Sequence, residues 1–425
     1  MRVGVVGAGV TGLALTHYLA ERGIDSIVYE ASDEPGGVID SRVVDGRLVE
    51  VGPQRLRLTD EIETLVDELQ LRRSLRVADD DHPLYVYADG SLRVVPRSPS
   101  AFLTTDLLSP TAKLRLLAEP LTANGSPDES IAELFTRKFG TETYENLVKP
   151  ILGGTFGSDP ASMPARHALE GVLALEQRHG NLLVPAARRL LGSSETPPPA
   201  SFDDGLQQLP VALAEAHADG VKLGTAVESV RTGTDGGFVV ETTADTSTAF
   251  DRLVVTTPAS VTAEILESLA PSASTALDGL TYNPLVLVHL RSDAAPSGFG
   301  YQVRRSESLR TLGVSWNASL FDRDGVYTAF FGGMGDAAAL DLSDDELGAL
   351  AVQEFEQVMD AEADVLHVER LPNAFPAYDE SWDALDGLEL PAGLTLATNY
   401  TARMGIPSRV REARRLARTF DEESR

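Results

Sequence analysis

Residues 2–30 read RVGVVGAGVTGLALTHYLAERGIDSIVYE, and this stretch decides the fold. A short β-rich run, Arg2 to Val6, leads into Gly7-Ala8-Gly9-Val10-Thr11-Gly12. A helical pattern follows, with Leu13, Leu15, Tyr18 and Leu19 apolar, and it ends near Gly23. Ile27-Val28-Tyr29 reads as a second strand, closed by Glu30. Strand, glycine-rich turn, helix, strand and terminal acid together make a dinucleotide-binding βαβ unit. Gly7 permits the tight turn, Gly9 lets backbone approach a pyrophosphate, and Gly12 lets helix and strand pack closely. Thr11 sits in the first helical turn, where unpaired N–H groups face phosphate. Glu30 is placed to accept from the ribose hydroxyls, and its charge disfavours a ribose phosphate.

After Glu30 comes Ala31-Ser32-Asp33-Glu34-Pro35-Gly36-Gly37. This acid-to-glycine-pair spacing resembles the FAD-containing amine oxidase and desaturase superfamily. There the second pair, Gly36 and Gly37, brings backbone to the same pyrophosphate from the other side. Glu50-Val51-Gly52-Pro53 follows, a turn that in the superfamily passes beside the flavin ring.

The chain of 425 residues predicts two or three domains at ~150 residues each. Its net charge of −28 argues against a nucleic-acid binder and against docking on anionic lipid. Four lysines stand against 32 arginines. At ~1 M salt the Debye length shrinks to ~3 Å and such self-repulsion is screened, so the composition resembles that of a salt-in, haloarchaeal protein. The absence of cysteine excludes disulfides, iron–sulfur clusters, thiolate zinc sites and a cysteine-linked flavin. The seven histidines show no metal-ligand spacing. There is no apolar run near 18 residues. The first strand begins at Arg2, leaving no room for a signal peptide, so a cytoplasmic protein is expected, at most peripheral on the inner face of the membrane.

Ser126-Pro127-Asp128-Glu129 reads as a helix start, continued by Ile131, Leu134, Phe135 and Lys138 and ended by Gly140. Segments 109–120 and 165–192 also have helical spacing. Ser194 to Ser201 (SETPPPAS) reads as a linker. Stretches around 219–230, 238–243 and 253–256 alternate as strands, and Thr257-Pro258-Ala259 leads into a helix. Leu285–Leu290, Gly313–Trp316 and Val326–Phe331 suggest an antiparallel sheet. Asp421–Arg425 reads as a charged tail without structure.

Motifs along the whole chain resemble the oxygen-dependent protoporphyrinogen oxidases and the related coproporphyrinogen III oxidases. Leu92-Arg93-Val94-Val95-Pro96 is similar to the family's L-R-x-x-P turn, and Lys149 to Pro160 (KPILGGTFGSDP) to its glycine-rich segment. Gly298-Phe299-Gly300-Tyr301, Leu312-Gly313 and Ser319-Leu320-Phe321 follow its G-F-G, L-G and S-x-x-F pattern. Phe375-Pro376-Ala377-Tyr378, Asn399-Tyr400 and Gly405-Ile406-Pro407 complete the match. Departures are Thr398 and Arg403 in place of glycine, Val38 after the glycine pair, and Gln54-Arg55-Leu56-Arg57 after Gly52-Pro53.

The resemblance implies an α/β fold: a Rossmann-like FAD-binding domain of the amine oxidase and glutathione-reductase type, an α+β substrate domain and a helical subdomain. The expected division is 1–80, 202–275 and 386–425 for FAD, 81–97 and 276–385 for substrate, and 98–201 for the helices. Noncovalent FAD would be held by Gly7, Gly9, Thr11, Gly12, Glu30, Gly36, Gly37, Gly52, Pro53, Val227, Thr257, Asn399, Met404, Gly405 and Ile406. A porphyrinogen would be held by Arg93 at a propionate, Phe321 against a pyrrole and Gly157 near the meso carbon. Dioxygen or another acceptor would take the electrons, the flavin would do the chemistry, and no residue need be a strong general base. Amine oxidases usually carry a lysine on the strand matching Tyr282–Leu290, and none is present here. An FAD-dependent desaturase or amine oxidase-like oxidoreductase on another apolar substrate is the alternative enzyme. A prenyl-protein chaperone without flavin is disfavoured by Gly36-Gly37 and Gly405-Ile406-Pro407.

Overall fold

The computed structural model describes residues 1–79, 81–126, 128–191, 196–401 and 405–425. Val3 and Val5 point to one side of the first strand and Val6 to the other, and all three are buried. A run apolar on both faces belongs inside a parallel sheet covered twice. The spatial order is Val221–Lys222, Asp25–Tyr29, Arg2–Val6, Arg252–Val255, Leu394–Leu396, with every pair parallel. On one face lies the helix Val10–Ala20, sandwiched between sheet and the C-terminal helix Ile406–Ser424. In the latter Ile406, Arg409, Val410, Ala413, Leu416, Ala417 and Phe420 are buried, a stripe at helical spacing. That stripe corrects the reading of the C-terminus. Phe420 draws the last turns onto the core, and Arg425 pairs with Asp421 at 2.9 Å.

The second sheet has seven strands in the order Asp364–Pro376, Tyr282–Arg291, Val326–Gly332, Gly313–Ser315, Gly300–Val303, Leu84–Ala88, Ser91–Val94. It is antiparallel except between Gly300–Val303 and Leu84–Ala88, which run parallel. The runs expected to form an antiparallel sheet, Leu285–Leu290, Gly313–Trp316 and Val326–Phe331, do pair that way. The exception arises because the two strands come from chain segments about two hundred residues apart and no hairpin links them. The helix Asp344–Met359, started by a Ser343/Glu346 capping box, covers one face with Leu347, Ala351 and Phe355.

A helical layer lies between residues 99 and 191. Its third main helix runs Ile131–Phe139, not from Ser126. Both Ser126 and Ser130 precede a glutamate by three residues, so sequence offers two capping boxes. Tertiary contacts choose the second. Glu129 pairs with Arg137, its carbonyl accepts from the Ala165 amide at 2.9 Å, and Ser130 and Glu133 close the box. Pro127, central to the expected start, lies outside the described residues. Lys138 on this helix is fully buried and paired with Glu176 at 2.7 Å and Glu119 at 3.4 Å. No described helix is long and apolar enough to cross a membrane, while Leu103, Leu114, Leu117 and Leu121 are exposed.

The proline-rich stretch is a strand at its end. Pro199–Phe202 is buried throughout and pairs with Leu56–Arg57 on one side and Leu75–Val77 on the other. Pro199 takes the first position, where a missing N–H is tolerated. Residues 194 and 195 of the expected linker lie outside the described residues. Beside this strand the two sheets are fastened. The buried Glu50 carboxylate accepts from Ser41 Oγ at 2.6 Å, from the Leu206 amide at 3.1 Å and from Arg323 Nη2 at 3.2 Å. Burial pushes the Glu50 pKa up, and Arg323 opposes that shift.

Glu50→Gln is expected to lower the midpoint of chemical denaturation by the equivalent of about 3 kcal/mol or more, because Arg323 is left buried without its acid. A loss under about 1 kcal/mol would show that the pair does not fasten the sheets. A second expectation concerns His289, buried in the seven-stranded sheet with its Nδ1 3.1 Å from Thr328 Oγ1. Burial, then His367, lowers its pKa from 6.5 to about 3. The unfolded chain therefore takes a proton there that the folded chain refuses, and stability falls as pH drops from about 6.5 toward 3. Thermal midpoints of His289→Gln should decline less steeply over that range than those of the wild type; equal slopes would refute this.

Candidate functional site: a nucleotide cradle and an adjoining cleft

The glycines at the C-terminal end of the first strand are required by contact. A Cβ at Gly12 would stand 2.1 Å from the Gly7 carbonyl oxygen, and one at Gly7 would stand 2.7 Å from the Thr256 hydroxyl. Gly9 differs, since a Cβ there would enter open space with only the Gly36 carbonyl at 3.9 Å. The Gly36 amide donates to Ala8 O at 2.9 Å, laying the second glycine pair against the first turn. No side chain caps the helix that begins at Val10, with Thr11 in its first turn, nor the one that begins at Ile406 after Gly405. Two helix N-termini with unpaired N–H groups, and backbone bare of side chains between them, suit an anionic cofactor.

Glu30 holds the cradle's rim. Its Oε2 accepts from the Ala8 amide at 2.7 Å, and its Oε1 from the Ser32 amide and hydroxyl at 3.0 and 2.9 Å. A carboxylate has about four acceptor sites, so capacity for a hydroxyl remains. The Glu30 carbonyl accepts from Thr225 N at 2.7 Å, bringing the strand that starts at Val227 alongside. Thr257 follows Thr256, whose hydroxyl donates to Val6 O and Gly7 O. Gly52 cannot carry a side chain, because its Cβ would fall 1.7 Å from Val38 O. Pro53 follows it at intermediate burial. Asn399 succeeds the strand Leu394–Leu396, and Ile406 packs in the core beside the first helix. Thr398, a departure from the family pattern, is buried, its hydroxyl 3.2 Å from Thr401 Oγ1 and its carbonyl accepting from Arg409. Met404 and Arg403 lie outside the described residues.

The three expected substrate residues lie on different elements, and among the described residues no hydrogen bond or ring contact joins them. Gly157 ends the helix Lys149–Phe156 at φ +62°, and its carbonyl accepts from the Met334 amide at 2.7 Å. Asn283 braces it from the seven-stranded sheet through Phe156 O and Ser158 Oγ. Phe321 ends the short helix Asn317–Phe321 and packs with Leu320 and Phe299. Arg93 lies on the edge strand Ser91–Val94, and its guanidinium is already paired with Asp89 at 3.1 Å and Asp106 at 3.8 Å. Asp89 in turn pairs with Arg304, which holds its pKa below the usual carboxylate range.

One group of polar residues was not anticipated. Gln54 Nε2 donates to Glu50 O at 2.8 Å and Gly52 O at 2.9 Å, and its Oε1 accepts from Asn317 Nδ2 at 2.8 Å. The turn expected beside the flavin is thereby locked to the helix that carries Phe321. The signal available in the sequence was the departure Gln54-Arg55-Leu56-Arg57.

Residues 10–419 match the family described as flavin containing amine oxidoreductase. The chloroplastic protoporphyrinogen oxidase 1 of Spinacia oleracea is 27% identical over 453 residues, covering 95% of this chain and 81% of its own. The coproporphyrinogen III oxidase of Mycobacterium leprae is 26% identical over 443 residues, covering 99% and 98%. A crystal structure from Exiguobacterium sp. 255-15 superposes with a TM-score of 0.81 at 22% identity, covering 99% of each chain, and this likeness speaks for the fold. The open backbone at Gly9 and Gly405 fits the cofactor that the family name prescribes. Spanning nearly its whole length with that family, the chain belongs to the flavin containing amine oxidoreductases and is an FAD-dependent oxidoreductase.

Proposed function

We propose that this chain oxidises a porphyrinogen, protoporphyrinogen IX or coproporphyrinogen III, to the porphyrin in haem biosynthesis. The observation that carries the reading is the near full-length similarity to relatives named protoporphyrinogen oxidase and coproporphyrinogen III oxidase. The chemistry of the cleft agrees with it. Bound flavin supplies the acceptor for a hydride from a meso carbon. Gly9, Gly36, Gly37 and the first helical turn with Thr11 hold the pyrophosphate. Glu30 takes the ribose, with Val227, Thr257, Asn399, Gly405 and Ile406 around the remainder. Phe321 offers a ring to a pyrrole, and Gly157 presents backbone without a side chain where the macrocycle must come close. Pyrrole N–H protons pass to solvent, so positioning supplies most of the rate effect and no strong base is required. Six electrons leave in three two-electron rounds, each reducing one dioxygen to hydrogen peroxide.

Under air and molar salt, the FAD-loaded enzyme is expected to convert at least one of the two porphyrinogens to a fluorescent porphyrin with three equivalents of peroxide. Fluorescence no faster than autoxidation with both would reject the reading, and fluorescence without peroxide would replace dioxygen with another acceptor. Gly9→Val, which fills the open cradle, should lower flavin content at least tenfold while circular dichroism stays that of the wild type. A yellow variant with full occupancy would remove Gly9 from the cofactor site.

A further inference from the structure

Arg55 follows the Gly52-Pro53 turn by two residues. Its Nη1 donates to Ser315 Oγ at 3.1 Å, and its guanidinium lies 5.2 Å from the centroid of the Phe299 ring. Arg57 and Arg97 approach the same ring at 5.7 and 5.8 Å, and donate to Pro197 O and His82 O. Among the described residues no carboxylate pairs with Arg55. By contrast, Arg93, Arg137, Arg304, Arg310 and Arg323 each hold an acid. Burial, followed by the neighbouring Arg57, pulls the Arg55 pKa down to about 10, so the group stays charged near neutral pH.

A desolvated cation without a counterion destabilises the fold, and a ligand anion would relieve it. The setting is also rigid. Gln54 is fixed by three hydrogen bonds, and Ser315 Oγ lies 3.4 Å from Asn317 Oδ1. Phe299, over which Arg55 lies, shares its apolar cluster with Phe321. The cation thus stands at the edge of the surface assigned to a pyrrole ring, and a guanidinium matches a carboxylate fork.

We propose that Arg55, with the Ser315 hydroxyl beside it, is the receptor for a substrate carboxylate and seats one propionate of the tetrapyrrole. This rests on the porphyrinogen reading above. Arg55 follows the Gly52-Pro53 turn, and no acid answers it among the described residues, whereas Arg93 pairs with Asp89 at 3.1 Å and lies 3.8 Å from Asp106.

The test titrates FAD-loaded enzyme with coproporphyrin III and with its tetramethyl ester, following tryptophan fluorescence, and measures turnover of coproporphyrinogen III. The wild type should bind the free acid at least tenfold more tightly than the ester. Arg55→Met should abolish that preference and raise KM about tenfold with kcat within twofold. Its flavin content should be unchanged and its Tm equal or higher. Arg55→Lys should restore part of the preference. Retention of the acid preference in Arg55→Met, or its loss in Arg93→Met alone, would overturn the assignment. A lowered Tm with unaltered preference would make Arg55 a structural residue. Failure of the wild type to bind or oxidise any tetrapyrrole would instead remove the porphyrinogen reading, and this inference with it.

Discussion

Glu50 and Arg323 form a buried ion pair where three pieces of the chain meet: the hairpin strand Arg47–Glu50, the loop before the helix Gln208–Ala216, and the turn leading to Val326–Gly332. Neither charge is tolerable there alone, since taking an isolated ion out of water costs several kcal/mol. Each is made tolerable by the other and by Ser41, Ser201 and the Leu206 amide. That junction is one point where the seven-stranded sheet meets the segments flanking the nucleotide-binding sheet. Next to it Gln54 ties the Glu50 and Gly52 carbonyls to Asn317, and Asn317 begins the helix that ends at Phe321.

The nucleotide cradle depends on a different constraint, close approach of backbone. Gly7, Gly12 and Gly52 each stand where a methyl group would collide with a neighbouring oxygen. Gly9 and Gly405 stand where nothing would collide. The first set closes the packing of the fold, and the second leaves backbone open where the first and last helices begin. Both ends of the chain contribute, because the first and last helices pack against each other and bring their N-termini to the same side of the sheet. A helix N-terminus with free amides then acts as a fixed partial positive charge.

Charge is arranged unevenly across the molecule. Most buried cations are answered by acids, as at Lys138 between Glu119 and Glu176. Arg55, Arg57 and Arg97 gather around the Phe299 ring, and among the described residues Arg55 has no acid of its own. In a chain of net charge −28, three arginines about one ring are a local departure from the overall balance. An anionic, largely apolar reactant suits such a place.

The parallel sheet, the first helix and the glycine cradle were legible in residues 2–37, because a short continuous apolar run, glycine placement and a terminal acid are local features. The order of motifs likewise sufficed to indicate the family. The start of the helix at Ser130, the strand at Pro199–Phe202 and the helical C-terminus were not legible. Two equal capping boxes, a proline-rich run and a charged tail acquire their structure from partners far away in the chain: Ala165, Leu56 and Val77, and the core around Phe420. The same holds within the cleft. The motifs and residue types expected there were readable from the chain, since backbone chemistry and spacing are written locally. Tertiary contacts alone settled that Arg93 meets acids and that, among the described residues, Arg55 meets none, because charge pairing is a property of distances between segments that the sequence does not place side by side.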